Sequence, residues 1–370
     1  MIVGVPKEIK ADEHRVSMTP AGVEILKQKG HAVIVEHGAG ESSGFDDASY
    51  VRAGAETLGT AREIFEKSEM ILRVKEPQPS EYALLKKGQI YFAYLHLAAS
   101  EEVTRAFIKA GSVAIGYETV QRENGSLPLL IPMSEVAGRM AIQQGAKYLE
   151  MAQGGHGVLL GGVPGVDPGR VLILGGGSVG SHAARTACGL GANVYLLEIN
   201  PSRLRYLSDI MPKNCFVVMS TPAAIRDLVT RADVVVGAAL VPGARTPRLV
   251  SREMLNTMKK GAVVVDVAID QGGCVETSRE TTHTQPTYVV DGVVHYCVSN
   301  MPGGLPRTST LALTNATLPY IEALADKGWR KAMQDNAGIR RGANVVKGKI
   351  AHPGVAGALG LECTPVEKLL

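Results

Sequence analysis

The apolar run Val171–Leu174 is followed at once by three glycines, and this junction restricts the chain more than any other stretch. The segment reads VLILGGGSVGSHAARTACGLG. A short, continuous apolar run is the pattern of a strand covered on both faces, as in a parallel sheet. Gly175, Gly177 and Gly180 fill the spacing G-x-G-x-x-G. Each glycine then has a distinct role, with a tight turn at Gly175, access of a pyrophosphate to bare backbone at Gly177, and close helix–strand packing at Gly180. From Ser178 the breakers cease, so a helix is expected there, with its free N–H groups directed at phosphate. A second hydrophobic run, Asn193–Leu197, ends in Glu198. A carboxylate at that strand end accepts hydrogen bonds from a ribose diol and repels a 2′-phosphate, which points to NAD.

Length and composition leave room for this unit and one more. The 370 residues are long for one core and sufficient for two domains. With 45% hydrophobic and 20% charged residues the chain falls among ordinary globular proteins, outside the disordered and fibrous classes. A formal charge of +3 offers no electrostatic case for nucleic acid. The opening MIVGVPKEIK lacks the apolar core of a secretion signal, and no apolar run approaches the ~18–20 residues of a membrane span. Five scattered cysteines without C-x-x-C spacing argue against a disulfide framework or zinc site, and for a reducing cytoplasm.

Along the chain, strands are expected at Ile2–Val5, Ala32–Glu36, Met70–Val74, Ile90–Leu95 and Ser112–Tyr117. Thr19 and Pro20 form a helix start and Gly30 its end. A helix should cover Ser134 to about Ala152, ahead of a glycine-rich connection into the opening strand. The second half continues with strands Asn193–Leu197, Cys215–Met219, Val234–Val236 and Ala262–Val267, and with helices Pro222–Thr230 and Ser251–Met258. Asp291-Gly292 marks a hairpin turn. Ser299–Arg307 reads as a Pro/Gly-rich crossover, Thr308–Leu324 as a helix, and the last forty residues as a short closing helix with a loose end. Alternating strands and helices imply parallel sheets, so the fold class is α/β, with two doubly wound Rossmann-like domains and an interdomain cleft. Residues 1–128 with 307–370 form the expected substrate domain, and 129–306 the dinucleotide domain.

Ligands in such sheets gather beyond the carboxyl ends of strands. Lys75 and His96 stand at two such ends, Arg15 lies in a charged loop, and Asp270 closes the run VVVDVAID. Taken singly, each has an ordinary structural explanation: a solvated arginine, a surface lysine, a packed histidine, an aspartate capping the QGG loop. Each also has a chemical one. A guanidinium is the natural bidentate partner of a carboxylate, a lysine adds charge, and a histidine and a carboxylate move protons. The Rossmann unit itself also serves S-adenosylmethionine and sugar-nucleotide enzymes, so the other half must discriminate.

The segments GVPKEIKADEHRVSMTP, RVKEPQP, YLHLA, VLILGGGSVG, VDVAIDQGG and SNMPGGLPRTST together resemble the L-alanine dehydrogenase family, over essentially the whole chain. That family also includes the NAD-binding subunit of proton-pumping transhydrogenase. The resemblance implies that Arg15 and Lys75 hold the substrate and that His96 and Asp270 form the catalytic pair. For the NAD cofactor it implies Ser134, Gly175, Gly177, Ser178, Val179, Gly180, Glu198, Arg203, Ser220, Ala239 and Leu240. It adds Val267, Ala268, Ile269, Asp270, Arg279, Val298, Ser299, Asn300 and Met301. Glu198 replaces the aspartate expected at the ribose, and Arg203 stands where a lysine is common. A metal site of some relatives needs a histidine that IEALADKGW lacks, so no metal is expected. The implied substrates are L-alanine, pyruvate and ammonium, and the implied assembly is a cytoplasmic homohexamer, with no nucleic-acid or membrane partner. A transhydrogenase-like NAD-binding subunit and a dehydrogenase of another small amino acid are the competing readings.

Overall fold

A computed structural model describes residues 1–239 and 246–370. The chain divides into two compact units, 1–133 with 303–370, and 134–302.

The first unit holds an eight-stranded sheet. Its members are β1 (Ile2–Val5), β2 (Ala32–Glu36), β3 (Glu56–Leu58), β4 (Met70–Leu72), β5 (Ile90–Ala93), β6 (Val113–Gly116), β14 (Ala343–Val346) and β15 (Lys349–Ile350). Their order across the sheet is β15-β14-β6-β5-β4-β1-β2-β3. The six from β6 to β3 pair in parallel. Parallel strands buried on both faces need continuous apolar runs, and all of β4, β5 and β6 is buried. Thr19 caps the helix Pro20–Gln28 by accepting from Gly22 N, and Gly30 leaves it at φ +83°. Strands β14 and β15 correct the expectation of a loose end. They form a hairpin whose inner strand pairs antiparallel with β6. The helix expected at Thr308–Leu324 is longer, Pro306–Asp335, and is broken at Gly328 with φ +68°.

The second unit holds seven strands. They are β7 (Arg170–Leu174), β8 (Asn193–Glu198), β9 (Cys215–Met219), β10 (Val234–Gly237), β11 (Val263–Asp266), β12 (Thr287–Val290) and β13 (Val293–Tyr296). Their order is β12-β13-β11-β10-β7-β8-β9. Six are parallel, with the reversal of strand order at β7 and β10 that marks a dinucleotide-binding sheet. β12 is an antiparallel edge turned back at Asp291 and Gly292, both at positive φ (50° and 79°), as Asp-Gly requires. The valines of β10 and β11 are fully buried, each stabilising the sheet by roughly 1.5–3 kcal/mol.

The helix Ile131–Tyr148 begins earlier than expected, so Ser134 lies within its first turn. It packs through two glycines one heptad apart. A Cβ on Gly138 would meet Val179 O at 2.2 Å, and one on Gly145 would meet Val234 Cγ1 at 2.9 Å. Among the described residues, no helix is long and apolar enough to cross a membrane.

Candidate functional site

In the first unit the segment after β1 is a long loop, residues 6–19, before the helix at Pro20. It is pinned by its own charges and hydroxyls. Glu8 accepts from Arg73 Nε and Nη2 at 3.1 Å each and from Val74 N at 2.6 Å, while Glu81 takes Arg73 Nη1 at 2.6 Å. Ser17 Oγ donates to Leu72 O at 2.8 Å. Arg73 is fully buried, and the two carboxylates keep its guanidinium protonated despite burial.

This loop carries Arg15, 2% exposed, against the carboxylate of Glu13. Nε donates at 2.7 Å and Nη2 at 2.5 Å, a bidentate fork that fixes the guanidinium plane. Nη1 lies 3.0 Å from Met133 Sδ. Burial acts to raise the Glu13 pKa, but the hydrogen bonds and charge of Arg15 outweigh it and bring it to about 2. Lys75 follows β4, half-buried. Burial pushes its ammonium below the ordinary lysine range, Arg15 adds to the shift, and Glu13 opposes it.

His96 follows β5 with its backbone left-handed, at φ +49° and ψ 34°. A non-glycine residue there costs about 1–3 kcal/mol, and such strain gathers at functional sites. Its ring stays open to solvent, yet the surrounding protein lowers its pKa; Glu118 opposes that shift and Lys75 adds to it. Arg15, Lys75 and His96 thus lie along the carboxyl ends of β1, β4 and β5, close enough for Lys75 to feel Arg15 and for His96 to feel Lys75. Tyr94 is buried beside them and donates to Leu129 O at 2.5 Å.

The second unit collects its expected residues at the ends of all six parallel strands. After β7, Gly175 has φ +108°, and a Cβ there would meet Ala239 Cα and Ala238 O, both at 2.8 Å. A Cβ on Gly180 would lie 1.8 Å from Gly175 O, so the helix Ser178–Gly189 abuts the turn. A Cβ on Gly177 would meet nothing within 4 Å. Of the three glycines, this one borders open space beside the helix start, as phosphate binding requires. Ser178 and Val179 form the first helical turn, and Val179 lies against the helix that carries Ser134.

Glu198, at the end of β8, accepts from Gly176 N at 3.1 Å, Ile199 N at 2.7 Å and Asn200 N at 2.9 Å. A carboxylate has about four acceptor positions, so a hydroxyl donor can still be accommodated. Arg203 donates Nε to Gly176 O at 2.8 Å, which ties it to the same turn. Ser220 follows β9, and its N–H donates to Glu198 O at 2.9 Å. Ala239 follows β10; Leu240 lies outside the described residues.

After β11 the 3₁₀ turn Val267–Gln271 carries Val267, Ala268, Ile269 and an exposed Asp270. The neighbouring Asp266 does the capping. Its Oδ2 accepts from Cys274 N at 2.8 Å, Val275 N at 3.1 Å and Ser278 Oγ at 2.6 Å, so Asp266 is structural and Asp270 is left at the surface of the turn. Val298 and Ser299 follow β13, with Asn300 at φ +53° and Met301 opening the next turn. Arg279 is exposed, its guanidinium 4.2 Å from the Tyr288 ring centre. Ser134 and Arg279 are the two members of the set that do not follow a strand end.

Glu13, Glu118 and the Arg73 cluster were not singled out from the sequence. A charge inside the apolar run MILRV, and a carboxylate two residues before Arg15, were the available signals.

Comparison with known proteins covers nearly the whole chain. Residues 4–137 match the family model described as alanine dehydrogenase/PNT, N-terminal domain, and 141–353 match its C-terminal domain. The alanine dehydrogenase of Halomonas elongata is 54% identical over 370 residues, covering 100% of each chain. That of Bacillus subtilis is 53% identical, covering 100% of this chain and 98% of the relative. Among solved structures, an L-alanine dehydrogenase superposes with a TM-score of 0.95 at 50% identity, over 97% of this chain and 99% of the other. A transhydrogenase from Sinorhizobium meliloti gives 0.83 at 27% identity, over 95% and 99%.

Proposed function

The chain belongs to the alanine dehydrogenase/PNT family, and from that premise we propose that it oxidises L-alanine to pyruvate and ammonia with NAD as acceptor, and catalyses the reverse reductive amination. The observation that carries the reading is the buried Arg15–Glu13 fork beside Lys75 and His96, at the carboxyl ends of the first unit's strands. The second unit has its glycine turn at that same end of its own sheet.

Arg15 and Lys75 bind the alanine carboxylate. Glu13 cancels one of their two charges, leaving a local charge suited to one carboxylate rather than two. Burial of both cations strengthens that attraction over its value in water. The residues that fit NAD are the Gly175–Gly180 turn, the Ser178 helix start and Glu198. The open space at Gly177 takes the pyrophosphate, and Glu198 the ribose diol. Ser134, Arg203, Ser220, Ala239, Leu240, Val267–Asp270, Arg279 and Val298–Met301 complete that set. When bound, NAD supplies the nicotinamide carbon that accepts hydride.

The remaining steps are proton and water steps. The alanine ammonium must lose a proton before its Cα hydrogen can leave as hydride, which favours deamination at alkaline pH. The resulting imine takes up water, and His96 removes the proton of that water and holds the carbinolamine oxygen. Asp270 orients the nitrogen and returns a proton as ammonia departs. The lowered His96 pKa keeps the imidazole neutral, and therefore basic, through neutral and alkaline pH.

Reduction of NAD and of NADP, measured against a panel of small amino acids, tests the reading. L-alanine with NAD should give the highest kcat/KM; a higher value with glycine, or with NADP, contradicts it. Asp270→Asn should lower kcat far more than it weakens NADH binding, and retention of most of the turnover contradicts its acid–base role. The family resemblance also supports a cytoplasmic homohexamer, which sedimentation velocity reads directly.

A further inference from the structure

We propose that Glu118 is a positioning residue for His96, holding the Leu95–His96 peptide so that the imidazole is presented at the end of β5. The inference rests on the reading of His96 as the proton-handling group. Glu118 lies in the turn Tyr117–Thr119, directly after β6, whose last residue Gly116 pairs with Ala93 of β5. From this neighbouring strand end its carboxylate reaches across. Oε1 accepts from His96 N at 2.7 Å, and Oε1 and Oε2 both accept from Leu95 N at 3.2 Å.

Those two successive N–H groups meet one carboxylate, which fixes the peptide that enters His96. β5 ends at Ala93, and His96 O starts the turn Leu97–Ala99 by accepting from Ala99 N at 2.9 Å. With the entering peptide held by these charge-assisted bonds, the left-handed φ and ψ of His96 set where its ring leaves the backbone, and the bonds offset the strain of that conformation. Glu118 also acts on the ring as a charge. Around His96, the loss of water to the surrounding protein together with Lys75 and Lys10 favours the neutral ring, whereas Glu118 and Glu76 favour the protonated one. The Tyr94 ring packs 6.2 Å away.

Four variants decide the matter: Glu118→Gln, Glu118→Asp, His96→Gln, and His96→Gln combined with Glu118→Gln. Each is assayed for kcat, for KM of alanine, and for NADH affinity by fluorescence. Misplacement of a catalytic group by a fraction of an ångström to 1 Å lowers kcat by roughly 10- to 100-fold, and that loss is expected for Glu118→Gln, with NADH affinity and melting temperature unchanged. The acid limb of its kcat/KM profile moves to lower pH, since a charge that favoured protonation of His96 is gone. Added to His96→Gln, the same change produces no further loss, because two residues acting as one unit are not additive. Should Glu118→Gln fail to fold, Glu118→Asp keeps the charge on a shorter arm and carries the same comparison, with a smaller loss of kcat. Wild-type kcat in the Glu118 variants, or an equal loss in the presence and absence of His96, overturns the proposal. Wild-type kcat in His96→Gln overturns instead the reading of His96 on which it rests.

Discussion

Both units run six parallel strands in one order, with a reversal beside the first strand, yet they leave that strand in opposite ways. In the second unit the helix starts at Ser178, directly after the glycines that follow β7. In the first, residues 6–19 intervene between β1 and the helix at Pro20, and they carry Glu8, Glu13 and Arg15. On the proposed function, the same topological position serves two ligand chemistries. A diphosphate needs bare N–H groups and a helix terminus, which glycines supply by having no side chain. A carboxylate needs a directed cation, which must be held by other side chains. One ligand site is made by removing atoms and the other by adding a buried charge network, so the two should fail differently when mutated.

The largest effect is expected at Arg73. Arg73→Met leaves Glu8 and Glu81 buried without their cation, and should cost about 3–5 kcal/mol by denaturant unfolding. No substitution of a polar side chain in the glycine turn should approach that value. Next is the pH dependence contributed by Glu13. Its folded pKa of about 2 lies below the ordinary 4.5. The stabilisation is therefore complete above pH 4.5 and is lost as pH falls toward 2, a loss of roughly 3 kcal/mol. Glu8, whose pKa burial raises, acts with the opposite sign. The melting curves of wild type and Glu13→Gln across that range should therefore be compared as a difference, which converges at the acid end.

The glycine turn should separate stability from binding. Gly180→Ala places a Cβ against Gly175 O and is expected to lower stability by about 1–3 kcal/mol. Gly177→Ala meets nothing, so its melting temperature should stay at wild type while NADH affinity falls about tenfold, or about 1.4 kcal/mol. If both variants lost only stability, the open space at Gly177 would have no ligand role. The smallest effect is expected at Glu198→Gln, which removes the repulsion toward a 2′-phosphate. The preference for NAD over NADP should narrow by less than tenfold, read as a ratio of kcat/KM values.

Legibility in the sequence followed the same division. The strand–turn–helix at Val171–Gly191 is local, and its strand, its glycine turn, its helix start and the carboxylate ending the next strand could be read directly. Edges that follow a local pattern were also visible, such as Cys215–Met219 and the Asp291-Gly292 hairpin. The networks around Arg15 and His96 were not: Arg73, Glu81 and Glu118 acquire meaning only when separate elements come together, and Glu13, two residues from Arg15, looks like one more charge in a polar loop. Strands β14 and β15 escaped for a related reason. β14 pairs with β6 from far along the chain, and their hairpin turns at Lys347-Gly348, where a lysine takes φ +50° without an Asn or Asp to announce it. Asp266 and Asp270 both stand in VVVDVAID, and the structure separates them by burial.

The central claim is that the first unit holds the amino acid and the second the dinucleotide. Steady-state kinetics of Arg15→Ala, with alanine varied at saturating NAD and NADH affinity measured alongside, tests it most directly. KM for alanine should rise about 100-fold, in line with the loss of a buried, paired cation, while NADH affinity is unchanged. An unaltered KM for alanine, or an equal loss of NADH affinity, would contradict it.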